Sequence, residues 1–389
     1  MTKRIYMDYA ATTPVKKEVV DAMLPYFTET FGNASSPHGF GRDAKKVLIS
    51  SRETIAKTLN AKTDEIYFTA GGTESDNWAL KGVLKSVKPK GNHIITSAIE
   101  HHAILHAGEA LEKEGYKLTV LPVDSDGLIS LEDLKAAITD ETALISIMFM
   151  NNEIGTMQPI KEIGEIAKAH NIYFHTDAVQ AYGNVKIDVE EMHIDMLSMS
   201  SHKIYGPKGI GALYIRKGTL LANFIDGGAQ EKKKRGGTEN IPGIVGFAKA
   251  AEIAHENLED HIERLTGLRD RLIDGLLSKI DYSRLNGHRT LRHPGNVNIS
   301  FEFIEGEALL LMLDHKGVAG SSGSACTSGS LDPSHVLMGI GLTHEVAHGS
   351  LRLSLGDFTT EEDIDYAIEA LIPIVQRLRE MSPLYPGNN

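Results

Sequence analysis

Residues 172–180 read Ile-Tyr-Phe-His-Thr-Asp-Ala-Val-Gln, a β-branched and aromatic run that stops at an acid. The run predicts a strand over Ile172–Thr176, with Asp177 just past its end and Gln180 three residues on. A second such run, Met196–Met199, stops at Ser200-Ser201-His202-Lys203 before the turn chemistry of Tyr205-Gly206-Pro207-Lys208-Gly209. Working outward, short β-rich runs, polar loops and helical stretches alternate across residues 65–216, with further strands predicted at Glu65–Thr69, His93–Thr96, Lys117–Val123, Ala143–Met150 and Gly211–Ile215. This alternation predicts an α/β fold on a mostly parallel sheet. Such sheets bind ligands beyond the carboxyl ends of their strands, so the polar residues there are the first candidates for a site.

Beyond this block, apolar positions at helical spacing predict one long helix from about Pro242 to Ile280, bridging to a smaller α+β unit. That unit contains Val297–Phe301, a Gly/Ser-rich stretch at 320–330, the alternating Leu351-Arg352-Leu353-Ser354-Leu355 and a final helix from about Glu361. The expected division is a large domain over 14–257 and a small one formed by 1–13 with 258–389.

Composition narrows the function classes. The 389 residues carry 40 basic and 52 acidic side chains, 40 − 52 = −12, which disfavours general nucleic-acid binding. The one basic run, Lys232–Arg235, reads as a solvated loop. No apolar run approaches the roughly 20 residues of a membrane span, and the N-terminus meets Asp8 too soon for a signal peptide. The lone Cys326 excludes a disulfide framework and fits a reducing, cytoplasmic setting.

Several motifs carry chemistry. Gly71-Gly72-Thr73-Glu74-Ser75-Asp76 follows a strand and opens a helix, reading either as a plain start capped by Thr73 and Asp76 or as a phosphate cradle. Asp177, taken alone, reads as a cap for the next helix. Lys203, between a strand end and a Gly-Pro turn, reads as a lysine held inside a site, able to form an imine. Together these three features are what pyridoxal phosphate needs: a ring-nitrogen partner, an imine lysine and a phosphate site. His101, in Glu100-His101-His102, adds an imidazole to stack or move protons. Cys326 sits among serines and glycines, suiting an accessible thiol, and Arg352 suits a substrate carboxylate. His344-Glu345-Val346-Ala347-His348 matches the zinc-peptidase pattern but lacks an evident third ligand, so no metal is expected.

On these residues the chain resembles cysteine desulfurases of the NifS/IscS type, class V aminotransferases that depend on pyridoxal phosphate. The resemblance runs nearly end to end, through Asp8–Pro14, Thr73–Asn77, Glu100-His101, Asn151–Gly155, His175–Gln180, Ser200–Gly211 and Ser321–Ser330. The length of the Cys326 segment resembles the NifS/IscS group more than the SufS group. Ser201, Ala34 and Lys232 stand where the family often has Gly, Pro and Arg, and none of these differences removes a catalytic group.

The resemblance implies transferase fold type I and a homodimer converting L-cysteine to L-alanine, with a persulfide on Cys326 passed to an iron-sulfur scaffold of the NifU/IscU type. It further implies that Lys203 holds the coenzyme and Asp177 pairs with its ring nitrogen, while His101 stacks and acts as acid or base. Gly72, Thr73, Ser200 and His202 would hold the phosphate, with Thr238 supplied by the other subunit. Asn152 and Gln180 would touch the ring hydroxyl, and Arg352 with Asn152 the substrate carboxylate. A selenocysteine lyase, or another β-elimination enzyme independent of Cys326, is the nearest alternative.

Overall fold

The computed structural model describes residues 4–86, 90–322 and 333–388. Its centre is a seven-stranded sheet: β2 (Ile66–Thr69), β3 (His93–Ser97), β4 (Lys117–Leu121), β5 (Thr142–Ser146), β6 (Tyr173–Asp177), β7 (Met196–Ser200) and β8 (Gly211–Ile215). The spatial order is β2-β8-β7-β6-β5-β3-β4. Only β8 runs against its neighbours, pairing antiparallel with both β2 and β7. Every residue of β2, β3, β5, β7 and β8 is buried, as expected of a sheet covered by helices on both faces.

The mostly parallel sheet agrees with the sequence reading, and the differences lie at element ends. β5 closes at Ser146, earlier than expected, yet the chain continues alongside β6 through Ile147 N–H to His175 O at 3.2 Å and Phe149 N–H to Asp177 O at 2.9 Å. The predicted long helix is two, Ile241–Glu256 and Leu258–Leu277. Asn257 stands between them at φ −128° and ψ 35°, a non-helical conformation that apolar periodicity alone does not reveal.

A three-stranded antiparallel sheet, β9 (Ser283–Leu285), β10 (Asn296–Phe301) and β12 (Ser350–Ser354), forms the second layer system, in the order β12-β10-β9. The N-terminal β1 (Ile5–Tyr6) pairs in parallel with β11 (Val318–Ala319), and Asp8 then bridges to Ser354. One apolar core gathers residues from Val19 to Ala251, and another gathers Ile5 and Met7 with residues from Leu265 to Val375. Between them Ile99, Met148 and Ile154 pack on Val336, Leu337 and Ile340, tying the strand ends of the large sheet to the helix His335–Gly339. Among the described residues no helix is long and apolar enough to cross a membrane.

A buried ion pair fixes one loop against the sheet. Arg52 donates to both oxygens of Glu231, each at 2.7 Å, and Glu231 also accepts from Phe68 N–H of β2 at 2.9 Å. At this pair Glu231, Lys232 and Lys233 stand at φ 43°, 57° and 68°, a left-handed run uncommon for non-glycine residues. Removing one partner of a buried pair strands the other charge, so Glu231→Ala should lower unfolding free energy by about 3–5 kcal/mol, read from the shift of the denaturant midpoint. A shift matching that of an exposed pair such as Lys17–Asp21 would contradict this account.

Candidate active site

A cavity of about 290 Å³ lies beyond the carboxyl ends of the parallel strands, and its lining brings together most of the residues singled out by sequence. Asp177 comes from the end of β6, Ser200, His202 and Lys203 from the end of β7, and Asn152 from the chain after β5. Gly72 and Thr73 open the helix Gly72–Leu84 after β2, His101 follows β3, and Gln180 and Arg352 complete the set.

The helix start that faces this cavity differs from the capping box considered above. Gly71 is the cap, at φ +154° and ψ −174°, a conformation open essentially to glycine, and no side chain caps the helix. A Cβ on Gly72 would come within 2.6 Å of Val179 Cγ2, so glycine is required there for close approach. Thr73 is exposed at the first turn, while Asp76 is buried and faces inward. The free N–H groups of this turn, with Ser200 and His202 beside them, suit an anion.

Asp177 caps no helix. Its Oδ1 accepts from Val179 N–H at 2.9 Å, and burial pushes its carboxyl up to about 6 against the pull of that N–H and of Lys203. Beneath it the groups are held neutral. Burial, then the charge of Asp177, pushes Asp76 well above the usual carboxylate range. Burial drives His175 down to about 3, with its ring nitrogens 2.9 Å from Ser146 Oγ and 2.9 Å from Ser198 Oγ. Glu100 is pushed up to about 8 by burial, against the hydrogen bonds of Ser97 and Met148. Burial, with repulsion among these acids as the lesser cause, confines the negative charge of the floor to Asp177.

Lys203 Nζ donates to the carbonyls of Ala10 and Ala11, the latter at 2.9 Å. Its positive charge has consequences for the imidazoles. Burial, then Lys203, lowers His101 to about 4 and His202 to about 4, so both rings are neutral near pH 7. His101 Nδ1 accepts from Ala103 N–H at 3.1 Å, which places its proton on Nε2. His202 Nδ1 lies 3.1 Å from Thr12 Oγ1, and Gln180 Nε2 donates to Ala10 O at 2.9 Å.

Arg352 is 2% exposed on β12 and donates to Asn152 O at 3.0 Å and to Asp8 Oδ1 at 2.9 Å. Sequence reasoning missed Asp8 as a partner, because it lies 344 positions away along the chain. It also missed Asn151, whose Oδ1 accepts from Glu153 N–H at 2.8 Å and Ile154 N–H at 2.9 Å and so shapes the turn that presents Asn152. A preceding Asn before the motif residue is the signal that would have found it.

Two expected residues are not in this group. Cys326 lies outside the described residues, although both neighbouring stems are defined. Ser321 exchanges backbone hydrogen bonds with Arg352, at 3.0 and 2.7 Å, while Ser334 donates its hydroxyl to Glu153 and His335 Nε2 lies 2.9 Å from Glu100 O. Thr238 is exposed and does not line this cavity. His344 and His348 sit on a five-residue helix with ring centroids 4.8 Å apart, and among the described residues no three His, Cys, Asp or Glu could share a metal ion.

Residues 5–367 match the family model for aminotransferase class-V. A relative from Clostridium botulinum (strain Hall), named cysteine desulfurase IscS, is 60% identical over 387 residues, covering 99% of this chain and 98% of its own. A Methanosarcina thermophila protein of the same name is 59% identical, covering 99% and 95%. A solved structure described as a NifS-like protein superposes with a TM-score of 0.91 at 37% identity, over 97% of this chain and 100% of that one.

The raised carboxyl of Glu100 gives a pH-dependent prediction. Its folded value of about 8 lies above the ordinary 4.5, so its contribution is complete below about pH 4.5 and is lost as pH rises towards 8. Glu100→Gln, which cannot ionise, should therefore raise the melting temperature more at pH 8 than at pH 5. An equal shift at both values would show that this carboxyl is not held protonated by the fold.

Proposed function

The chain belongs to the class V aminotransferase family, and from that membership we propose how its residues carry out cysteine desulfuration. The reaction consumes L-cysteine and the Cys326 thiol and yields L-alanine and a Cys326 persulfide. One observation supports it above others: Lys203, Asp177 and Arg352 line one cavity, and both stems of the segment that holds Cys326 are bonded to residues at or beside its wall.

The residues fit the family's coenzyme, pyridoxal phosphate. Gly72, Thr73, Ser200 and His202 form an anion cradle at a helix start, Asp177 offers one buried negative charge, and Lys203 reaches the same space. Thr238 reaches the cradle of the other subunit in a homodimer. When bound, the coenzyme supplies an electron sink for the pair left at the substrate Cα.

The chain's own groups do the rest. Asp177 would be the residue that holds the coenzyme's ring nitrogen protonated, and Asn152 and Gln180, which line the same cavity, would orient the ring. His101, neutral with its proton on Nε2, would stack on the coenzyme and give or take a proton at that nitrogen. Lys203 Nζ would serve as the base that removes the proton from the substrate Cα. Arg352 and Asn152 hold the substrate carboxylate. The Cys326 thiolate attacks the substrate Sγ, forming an S–S bond as the Cβ–S bond breaks, and protonation of the carbon leaves alanine. A thiol of an acceptor scaffold of the NifU/IscU type then takes the outer sulfur, which restores the Cys326 thiol. The chain divides after Thr13 and Asn257 into the two domains that flank this cavity, and the lone thiol suits a cytoplasmic setting.

The decisive test measures alanine from L-cysteine with coenzyme-loaded protein. Lys203→Ala should lose turnover and the visible absorbance of the bound coenzyme, whereas Cys326→Ser should keep the absorbance and lose at least about 100-fold in alanine formation, the scale of removing a nucleophile. Wild-type alanine formation by Cys326→Ser would instead indicate an elimination enzyme, such as a selenocysteine lyase, that bypasses the thiol.

A further inference from the structure

We infer that Asp8 is an internal competitor for the substrate-binding arginine: its carboxylate occupies Arg352 in the resting enzyme and yields that position to the substrate carboxylate, so that Asp8 sets substrate affinity and product release. The inference rests on the reading of Arg352 as the carboxylate site.

The geometry supports it at each donor. Arg352 Nη2 bonds Asp8 Oδ1 at 2.9 Å and Nη1 bonds the Asn152 carbonyl at 3.0 Å. Nε is buried and has no hydrogen-bond partner among the described residues. A carboxylate binds guanidinium best through two parallel N–H groups, and the edge formed by Nε and Nη2 has one donor open and one held by Asp8. A bidentate substrate carboxylate on that edge must therefore share or displace the Asp8 bond.

Charge leads to the same conclusion. The Arg352 side chain is 3% exposed and that of Asp8 22%, so a cation removed from water faces a carboxylate that keeps partial access to it. A buried cation needs a counter-charge, and Asp8 supplies it when no substrate is present. Glu153, the other carboxyl near the guanidinium, is pushed up to about 7 by burial and is engaged by the Ser334 hydroxyl. An arriving substrate brings a second anion to a cation already balanced. Apparent affinity falls by the fraction of enzyme whose arginine is occupied, and the return of Asp8 helps to expel the carboxylate of the product.

Backbone pairing keeps Asp8 in reach. Ser354 N–H donates to Met7 O at 2.8 Å and Asp8 bridges to Ser354, so the N-terminal strand lies along β12, where Arg352 sits two residues before Ser354. The carboxylate of Asp8 can thus swing aside while its main chain stays fixed.

Asp8→Asn removes the charge at nearly constant shape. In the coenzyme-loaded enzyme it should lower KM for L-cysteine and the inhibition constant of L-alanine by about three- to tenfold, with no rise in kcat. Cysteamine, which lacks the carboxylate, should bind unchanged. L-alanine should also raise the melting temperature of Asp8→Asn by more than that of wild type, because it replaces the missing counter-charge. Arg352→Gln is the control for the underlying reading and should weaken L-alanine but not cysteamine. If Arg352→Gln weakens L-alanine while Asp8→Asn leaves it unchanged or weaker, the competitor role is overturned and the carboxylate site stands. If Arg352→Gln leaves L-alanine unaffected, both are overturned.

Discussion

A single negative charge, carried by Asp177 at the buried end of a parallel strand, is the constraint around which the rest of the site is arranged. Burial opposes that charge, and the fold answers with the Val179 N–H and the ammonium of Lys203 while keeping Asp76, Glu100 and His175 neutral beneath it. Lys203 in turn helps to keep His101 and His202 uncharged. Burial first, and charge at one strand end second, thus set the protonation of these neighbours. Among the described residues the floor of the cavity offers one anion, which suits a ring whose nitrogen must stay protonated.

Parallel strands deliver this arrangement because their carboxyl ends share one edge of the sheet. β6 supplies Asp177 and β7 leads into Lys203, while the turns after β2, β3 and β5 supply Thr73, His101 and Asn152. The second core contributes from across the cleft through β12, whose Arg352 reaches the Asn152 carbonyl. The groups proposed for coenzyme chemistry and for substrate recognition therefore come from different layers of the molecule, joined by the packing of Met148 and Ile154 on the helix at His335–Gly339.

Much of this was legible in the sequence because the residues concerned sit at element ends, where local pattern carries the information. The run into Asp177, the run into Ser200–Lys203 and the Gly71-Gly72 turn are each readable within a dozen or so residues. Long-range partners were not. Asp8 on Arg352 and Glu231 on Arg52 join segments 344 and 179 positions apart, and no local period announces them. The break at Asn257 was hidden by continuous apolar spacing on both sides, and Asp76 looked like a surface cap because Thr-x-x-Asp is also the signature of one. Cys326 stands outside the described residues, so its part rests on its sequence setting and on the two stems that flank it.

The account stands or falls on where the sulfur goes first. The most direct measurement is mass spectrometry of the Cys326 peptide after the coenzyme-loaded protein meets a small amount of L-cysteine labelled with heavy sulfur. The account requires one labelled sulfur atom on that peptide, removable by a reductant. Labelled sulfide in solution, with alanine formed and Cys326 never modified, would contradict it.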